Sequence, residues 1–149
     1  MSRERPPVPV KADYTHFRTI PTRWMDNDVY GHVNNVVYYS YFDTLVNRFL
    51  ISEGGLDFHN GDTVFIAAET GCRFFKSFAY PEDVIGGLAV SRLGKSSVTY
   101  DIALFAEGED EARACGFFVH VFVDKETMRP LPISDRFRNA FESLLRSDA

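Results

Sequence analysis

The stretch Arg23-Trp24-Met25-Asp26-Asn27-Asp28-Val29-Tyr30-Gly31-His32-Val33-Asn34-Asn35-Val36-Val37-Tyr38 decides how this chain is read. It joins the end of a strand to the start of a helix. Upstream, Phe17 to Asp26 carries the strand formers Phe17, Thr19, Ile20, Thr22 and Trp24. Pro21 assigns that strand to an edge or a bulge, because proline has no N–H to give a ladder. Downstream, Val36 to Ser52 repeats apolar residues at helical spacing (Tyr38, Phe42, Leu45, Phe49), and Val37, Tyr41 and Val46 widen the face. Asn34 or Asn35 caps this helix and Gly54-Gly55 ends it. A helix this aromatic belongs in the concave side of a curled sheet.

Four strand-like runs follow, each with a two-residue period. Thr63 to Phe78 sets Val64, Ile66, Ala68, Cys72 and Phe74 against Phe65, Ala67, Glu69, Arg73 and Phe75. Val84 to Leu93 comes after the turn at Pro81-Glu82-Asp83. Ser97 to Ala106 places Val98, Tyr100, Ile102 and Leu104 on one face, and Ala112 to Val123 separates Phe118, His120 and Phe122 from Cys115, Phe117, Val119, Val121 and Val123. The links Gly94-Lys95 and Gly108-Glu109-Asp110-Glu111 are short enough for antiparallel hairpins and too short for crossovers. Ser134 to Leu145 reads as a short helix capped by Ser134, with Phe137, Phe141, Leu144 and Leu145 as its apolar stripe. The proline-rich residues 1–13 lack either period, so a flexible tail is expected there and a single domain over 14–149.

With 149 residues and 45% hydrophobic content, the chain has material for one packed core. Its 16 Lys and Arg against 21 Asp and Glu give a net charge of -5, which argues against a nucleic-acid partner. No run approaches the apolar length of a bilayer span, and the start has no signal-peptide core. Cys72 and Cys115 are the two cysteines, without Cys-X-X-Cys spacing, so they read as small buried hydrophobes in a reducing, cytoplasmic setting.

Within the opening stretch, Asp28 is placed to act as acid, base or nucleophile, and the helix N-terminus beyond it offers unpaired N–H groups for an oxyanion. The alternative is that Asp26 or Asp28 merely caps a turn, and that His32 satisfies nearby backbone groups. Asp26, Asp28 and His32 lack a fourth metal ligand, so neither a metal nor another cofactor is expected. No nucleophile elbow, Walker loop or dinucleotide fingerprint is present.

The run Asp26-Asn27-Asp28-Val29-Tyr30-Gly31-His32-Val33-Asn34-Asn35, followed by Tyr38, Tyr41 and Asp43, resembles the signature of hot-dog-fold acyl-CoA thioesterases of the 4-hydroxybenzoyl-CoA thioesterase superfamily. The resemblance spans about Tyr14 to Ile133. It implies an α+β hot-dog fold, with a curled antiparallel five-stranded sheet around a long central helix and a short C-terminal helix. It also implies hydrolysis of an acyl-CoA to a carboxylic acid and coenzyme A by a homodimer or a dimer of dimers. In that family the second aspartate of the motif, here Asp28, is the catalytic carboxylate. Asn34, Asn35 and Val36 occupy the helix N-terminus that polarises the thioester carbonyl, with Gly31 and Tyr38 also beside the substrate.

The Gly-His-Val-Asn-Asn variant also resembles plant acyl-carrier-protein thioesterases, in which a related histidine takes part in catalysis, so the role of His32 stays open. Glu69 matches a strand-borne acid of some relatives or is a buried structural carboxylate. Arg92 and Lys95 at a hairpin tip, with the hydroxyls of Ser96 and Ser97, are candidates for the nucleotide end of coenzyme A, and Arg73 and Lys76 are further basic candidates. Two rival functions remain at this point: hydration or dehydration of an acyl thioester, and a non-catalytic thioester-binding module.

Overall fold

The computed structural model of the chain describes residues 7–146. Five strands, β1 (His16–Pro21), β2 (Thr63–Phe74), β3 (Asp83–Leu93), β4 (Ser97–Ala106) and β5 (Ala114–Asp124), form one antiparallel sheet in the order β1-β3-β4-β5-β2. The long helix α1 (Asn35–Ser52) lies in its concave face, and the short helix α2 (Asp135–Glu142) closes one end. This is the hot-dog architecture.

Tyr38, Tyr41, Phe42, Leu45, Val46, Phe49 and Leu50 of α1 are buried against Val98, Tyr100, Ile102 and Leu104 of β4 and Phe118 and Phe122 of β5. The alternation read along β4 and β5 is therefore the real inside and outside of the sheet. Close contact of helix and sheet needs glycine at Gly116, where a Cβ would lie 2.7 Å from the Phe42 ring and collide with the Gly71 carbonyl. The convex face carries a second cluster built on Tyr14, Ala89, Ala103, Phe105, Ala112 and Cys115. Cys72 is partly buried, and burial pushes its thiol up to about 12, which fits an inert apolar role.

Several boundaries differ from the sequence reading. β1 ends at Pro21, and Trp24–Asp26 turns into a single 3-10 turn rather than extending the strand to Asp26. β2 stops at Phe74 instead of Phe78, because the Phe75 and Lys76 N–H groups both turn to the Arg113 carbonyl. Its alternation also breaks: a bulge between Ala67 and Glu69 shifts the phase by one, so Phe65 and Cys72, opposed in the sequence reading, both pack on the main core. α2 ends at Glu142, and the Ser134 side chain makes no capping bond. The chain is also built ahead of Tyr14. Ala112 N–H donates to the Pro9 carbonyl, Lys11 N–H to the Asp110 carbonyl, and Val10 bridges Glu111. These backbone bonds tie residues 9–11 to the β4–β5 link, so the tail expected over 1–13 is ordered in its second half, and residues 1–6 lie outside the described residues.

Candidate active site

The motif folds as a miniature hairpin. Asn27 bridges Val33, Asp28 N–H donates to the His32 carbonyl at 2.9 Å, and Gly31 N–H donates to the Asp28 carbonyl at 3.1 Å. Aspartate first and glycine fourth suit this tight turn, and Gly31 has a φ of 80° that side chains rarely adopt. The Asp28 carboxylate is steadied from both sides: Oδ1 accepts from Tyr30 N–H at 2.9 Å, and Oδ2 lies 3.4 Å from Asn34 Nδ2.

The two aspartates have different fates. Asp26, 1% exposed, is spent on structure: its carboxylate accepts from the Tyr41 hydroxyl at 2.7 Å, from Arg23 N–H at 2.9 Å and from the Arg23 guanidinium. Burial works to raise its pKa, but the Arg23 N–H, the Tyr41 hydroxyl and the Arg23 guanidinium outweigh it and hold the carboxyl below its ordinary value. Asp28 is half-buried and faces a groove of about 350 Å³ shared with Val33, Asn35, Tyr38, Phe74, Phe75, Lys76 and Ser77.

The far wall of that groove is held by Arg113, which is 8% exposed. Its carbonyl accepts from Phe75 and Lys76, while its guanidinium donates to the Ser77 carbonyl at 2.8 Å, pairs with Glu82 and Glu109, and lies 5.0 Å from the Phe78 ring centre. The wall is bolted to the motif by Val33 N–H on the Phe78 carbonyl (2.8 Å) and Tyr80 N–H on Asn27 Oδ1 (3.0 Å). Carboxylate loop and wall thus form one unit.

At the helix start, Asn34 is the cap: its Oδ1 accepts from Val36 N–H at 3.0 Å, and its own N–H donates to the Asp26 carbonyl at 2.9 Å. Of the three N–H groups at this helix start, those of Asn34 and Val36 are therefore already occupied. Among the described residues the Asn35 N–H has no acceptor, and Asn35 borders the groove opposite Asp28's loop. The positive end of α1 is aimed there too.

Other candidates fall elsewhere. Tyr38 is 3% exposed, accepts from Phe78 N–H at 3.3 Å and borders the groove at its buried end. His32 is exposed and does not border the groove, and neither do Gly31 and Val36. Glu69 is exposed beside the bulge of the edge strand β2, so its reading as a buried structural carboxylate does not hold. Arg92, Lys95 and Ser96 occupy the β3–β4 hairpin at the other end of the sheet. Phe74 lies in the row of Ala114, Leu104 and Gly86, and Leu93 is seven residue steps along β3 from Gly86, roughly 23 Å at the usual rise. The chain's own hairpin therefore does not meet its own groove. Lys76 is the basic residue that does, and Val33, Phe74, Phe75 and Ser77 are site residues that the sequence reading missed. Their one visible mark is the pair of adjacent aromatics before Lys76 and Ser77, where strand alternation fails.

A larger depression of about 580 Å³ lies on the convex face, with Val8, Tyr14, Arg73, Cys115 and Arg146 in its lining, but neither Asp28 nor the helix N-terminus borders it. Among the described residues, no group of three or more His, Cys, Asp and Glu side chains is arranged to hold a metal, and no helix is long and apolar enough to cross a membrane.

The family model of the thioesterase superfamily matches residues 30–113. This chain belongs to the thioesterase superfamily. The superfamily match starts two residues after Asp28 and covers α1, β2, β3 and β4. Among solved structures, the chain is similar to the PA5185 protein of Pseudomonas aeruginosa PAO1, at 49% identity and a TM-score of 0.93, over 95% of this chain and 99% of that one. It is similar to PA2801 of Pseudomonas aeruginosa, described as a candidate thioesterase, at 29% identity and a TM-score of 0.78, over 84% and 96%. It shares its fold with Slr0204 of Synechocystis, a 1,4-dihydroxy-2-naphthoyl-CoA thioesterase, at 15% identity and a TM-score of 0.77, over 86% and 96%. The superfamily member described here is a hot-dog enzyme of thioester hydrolysis.

Proposed function

We propose that this thioesterase hydrolyses an acyl-CoA to a carboxylic acid and coenzyme A, with Asp28 as nucleophile or general base and the Asn35 N–H as oxyanion donor. One observation carries the reading: Asp28 and Asn35 border the same groove, and among the described residues the Asn35 N–H is left without an acceptor. A thioester carbonyl set between them meets a carboxylate on one side and the positive end of α1 on the other. Asp28 then adds to the carbonyl carbon, or takes a proton from a water that adds. In either case the C–S bond breaks, the thiolate leaves to be protonated, and water supplies the second oxygen of the acid. Assay of a panel of acyl-CoAs for free thiol tests this. Thiol release supports it, and conversion with the thioester intact, or binding without conversion, overturns it.

Lys76 supplies the positive charge at the groove for the phosphates of coenzyme A. Lys76→Glu is expected to raise KM for an acyl-CoA by about tenfold, with the effect shrinking at high salt and nearly absent for an acyl-pantetheine without the nucleotide. Lys95 is too far along the sheet to contribute to the same chain's groove, so an equal effect from Lys95→Glu would require a second copy.

Dimerisation is the second part of the proposal. The edge strand β2 is exposed from Ala67 to Thr70, and Val29 (95% exposed) and Tyr30 (83%) within the motif and Val36 (71%) just after it are turned outward. An open edge and an apolar rim of this size are liabilities in a monomer and suit a partner copy. Light scattering at micromolar concentration is expected to give at least twice the chain mass of 17.0 kDa, and a stable 17.0 kDa species would refute it.

A further inference from the structure

We propose that Asp26 is a positioning residue: it holds Asp28 and Asn35 in register by fastening the motif hairpin to α1, an inference that rests on the thioesterase reading above. Every bond Asp26 makes ends on a part of the site's frame. Its Oδ2 accepts from Tyr41, in the second turn of α1, at 2.7 Å, and from Arg23 N–H, just before the 3-10 turn that follows β1, at 2.9 Å. Its Oδ1 accepts from Arg23 Nε at 3.0 Å and Nη2 at 2.9 Å. Its main-chain carbonyl accepts from Asn34 N–H at 2.9 Å, and the Asn34 side chain in turn caps α1 at Val36 and reaches toward Asp28.

The series Tyr41, Asp26, Asn34, Asp28, whose last step is the long 3.4 Å contact, links the helix body to the reacting carboxylate. An ordinary turn-capping aspartate needs one or two local N–H groups; this one binds a residue fifteen positions away and is fully out of water. A carboxylate fits the position because each of its oxygens faces at least one Arg23 donor, and arginine has nothing with which to accept. An amide there turns one acceptor into an NH2 group that faces an Arg23 donor in either orientation, the Arg23 N–H at the Oδ2 position or Nε and Nη2 at the Oδ1 position. The hairpin then shifts against α1, and a displacement of about 1 Å between reacting groups costs on the order of a hundredfold in rate.

Asp26→Asn is expected to lower kcat for an acyl-CoA by about tenfold to a hundredfold with KM changed by less than about threefold, assayed well below the melting temperature. The inflections of the kcat against pH profile should stay with the parent's, since Asp28 is retained. Tyr41→Phe, which keeps the carboxylate and its arginine, should lose about threefold to tenfold, and Arg23→Lys should recover part of what Arg23→Ala loses. If Asp26→Asn does not fold, Tyr41→Phe decides. A folded Asp26→Asn protein with kcat within twofold of the parent would overturn the proposal, as would a loss that follows only the unfolded fraction. Amide exchange, read by NMR, gives an arm independent of turnover: the Asn34 N–H should exchange faster in Asp26→Asn and Tyr41→Phe than in the parent, and unchanged protection refutes the link. A parent chain that releases no thiol would defeat the thioesterase reading while leaving this exchange test intact.

Discussion

Asp28→Asn is expected to lower turnover of an acyl-CoA by two or more orders of magnitude, the scale of losing a base or nucleophile, while the folded protein still binds the thioester. The substitution is nearly isosteric. The side-chain oxygen can still accept from Tyr30 N–H, and the single local conflict is an NH2 group near Asn34 Nδ2, a contact that is already long at 3.4 Å. The exposed hairpin around it has little packing to lose. Melting temperature should therefore move little, and the loss should appear in kcat rather than in KM. Steady-state kinetics beside a thermal melt and a binding isotherm check this, and near-parent turnover by a folded Asp28→Asn protein would remove Asp28 from the mechanism.

The second large effect concerns stability against pH. His120 is 3% exposed, with its Nδ1 3.2 Å from the buried Tyr100 hydroxyl and its ring among Phe65, Phe118 and Tyr100. Burial lowers its pKa from 6.5 to about 4. Between those values the unfolded chain binds a proton that the folded chain refuses, so protons favour unfolding, and stability falls as pH falls from about 7 to 4. The total loss from this one group is about 3 kcal/mol. Denaturant unfolding at intervals from pH 7 to 4 should show that slope, and His120→Gln, which retains an acceptor for Tyr100 and cannot titrate, should flatten it. Equal slopes in both proteins would mean that His120 is not the group responsible.

How much of this was legible depends on whether the deciding contacts are local. Helix α1, its asparagine cap at Asn34 or Asn35 and its glycine stop were legible because each follows from periodicity and neighbouring residues, and the structure makes Asn34 the cap. The inside and outside of β4 were legible for the same reason. The end of β2 was not, because Phe75 and Lys76 leave the ladder for the carbonyl of Arg113, nearly forty positions away. The bulge at Ala68 was equally invisible, since the residues on either side of it alternate normally and pairing with β5 alone sets the break.

The amino-acid sequence by itself determined the element order, the strand-to-helix placement of the motif and the presence of two aspartates and a capping asparagine before an apolar helix, all matters of local chemistry. Tertiary structure decided which aspartate faces the groove. Asp26 and Asp28 are the same residue type two positions apart, and the fold buries Asp26 against the Tyr41 hydroxyl of α1 while Asp28 borders the groove. It likewise decided which N–H groups at the helix start are occupied, because the Asp26 carbonyl and the Asn34 side chain take the donors on either side of Asn35. Lys76 rather than Lys95 borders the groove because strand pairing sets the two at opposite ends of one sheet, a separation that spacing along the chain does not encode.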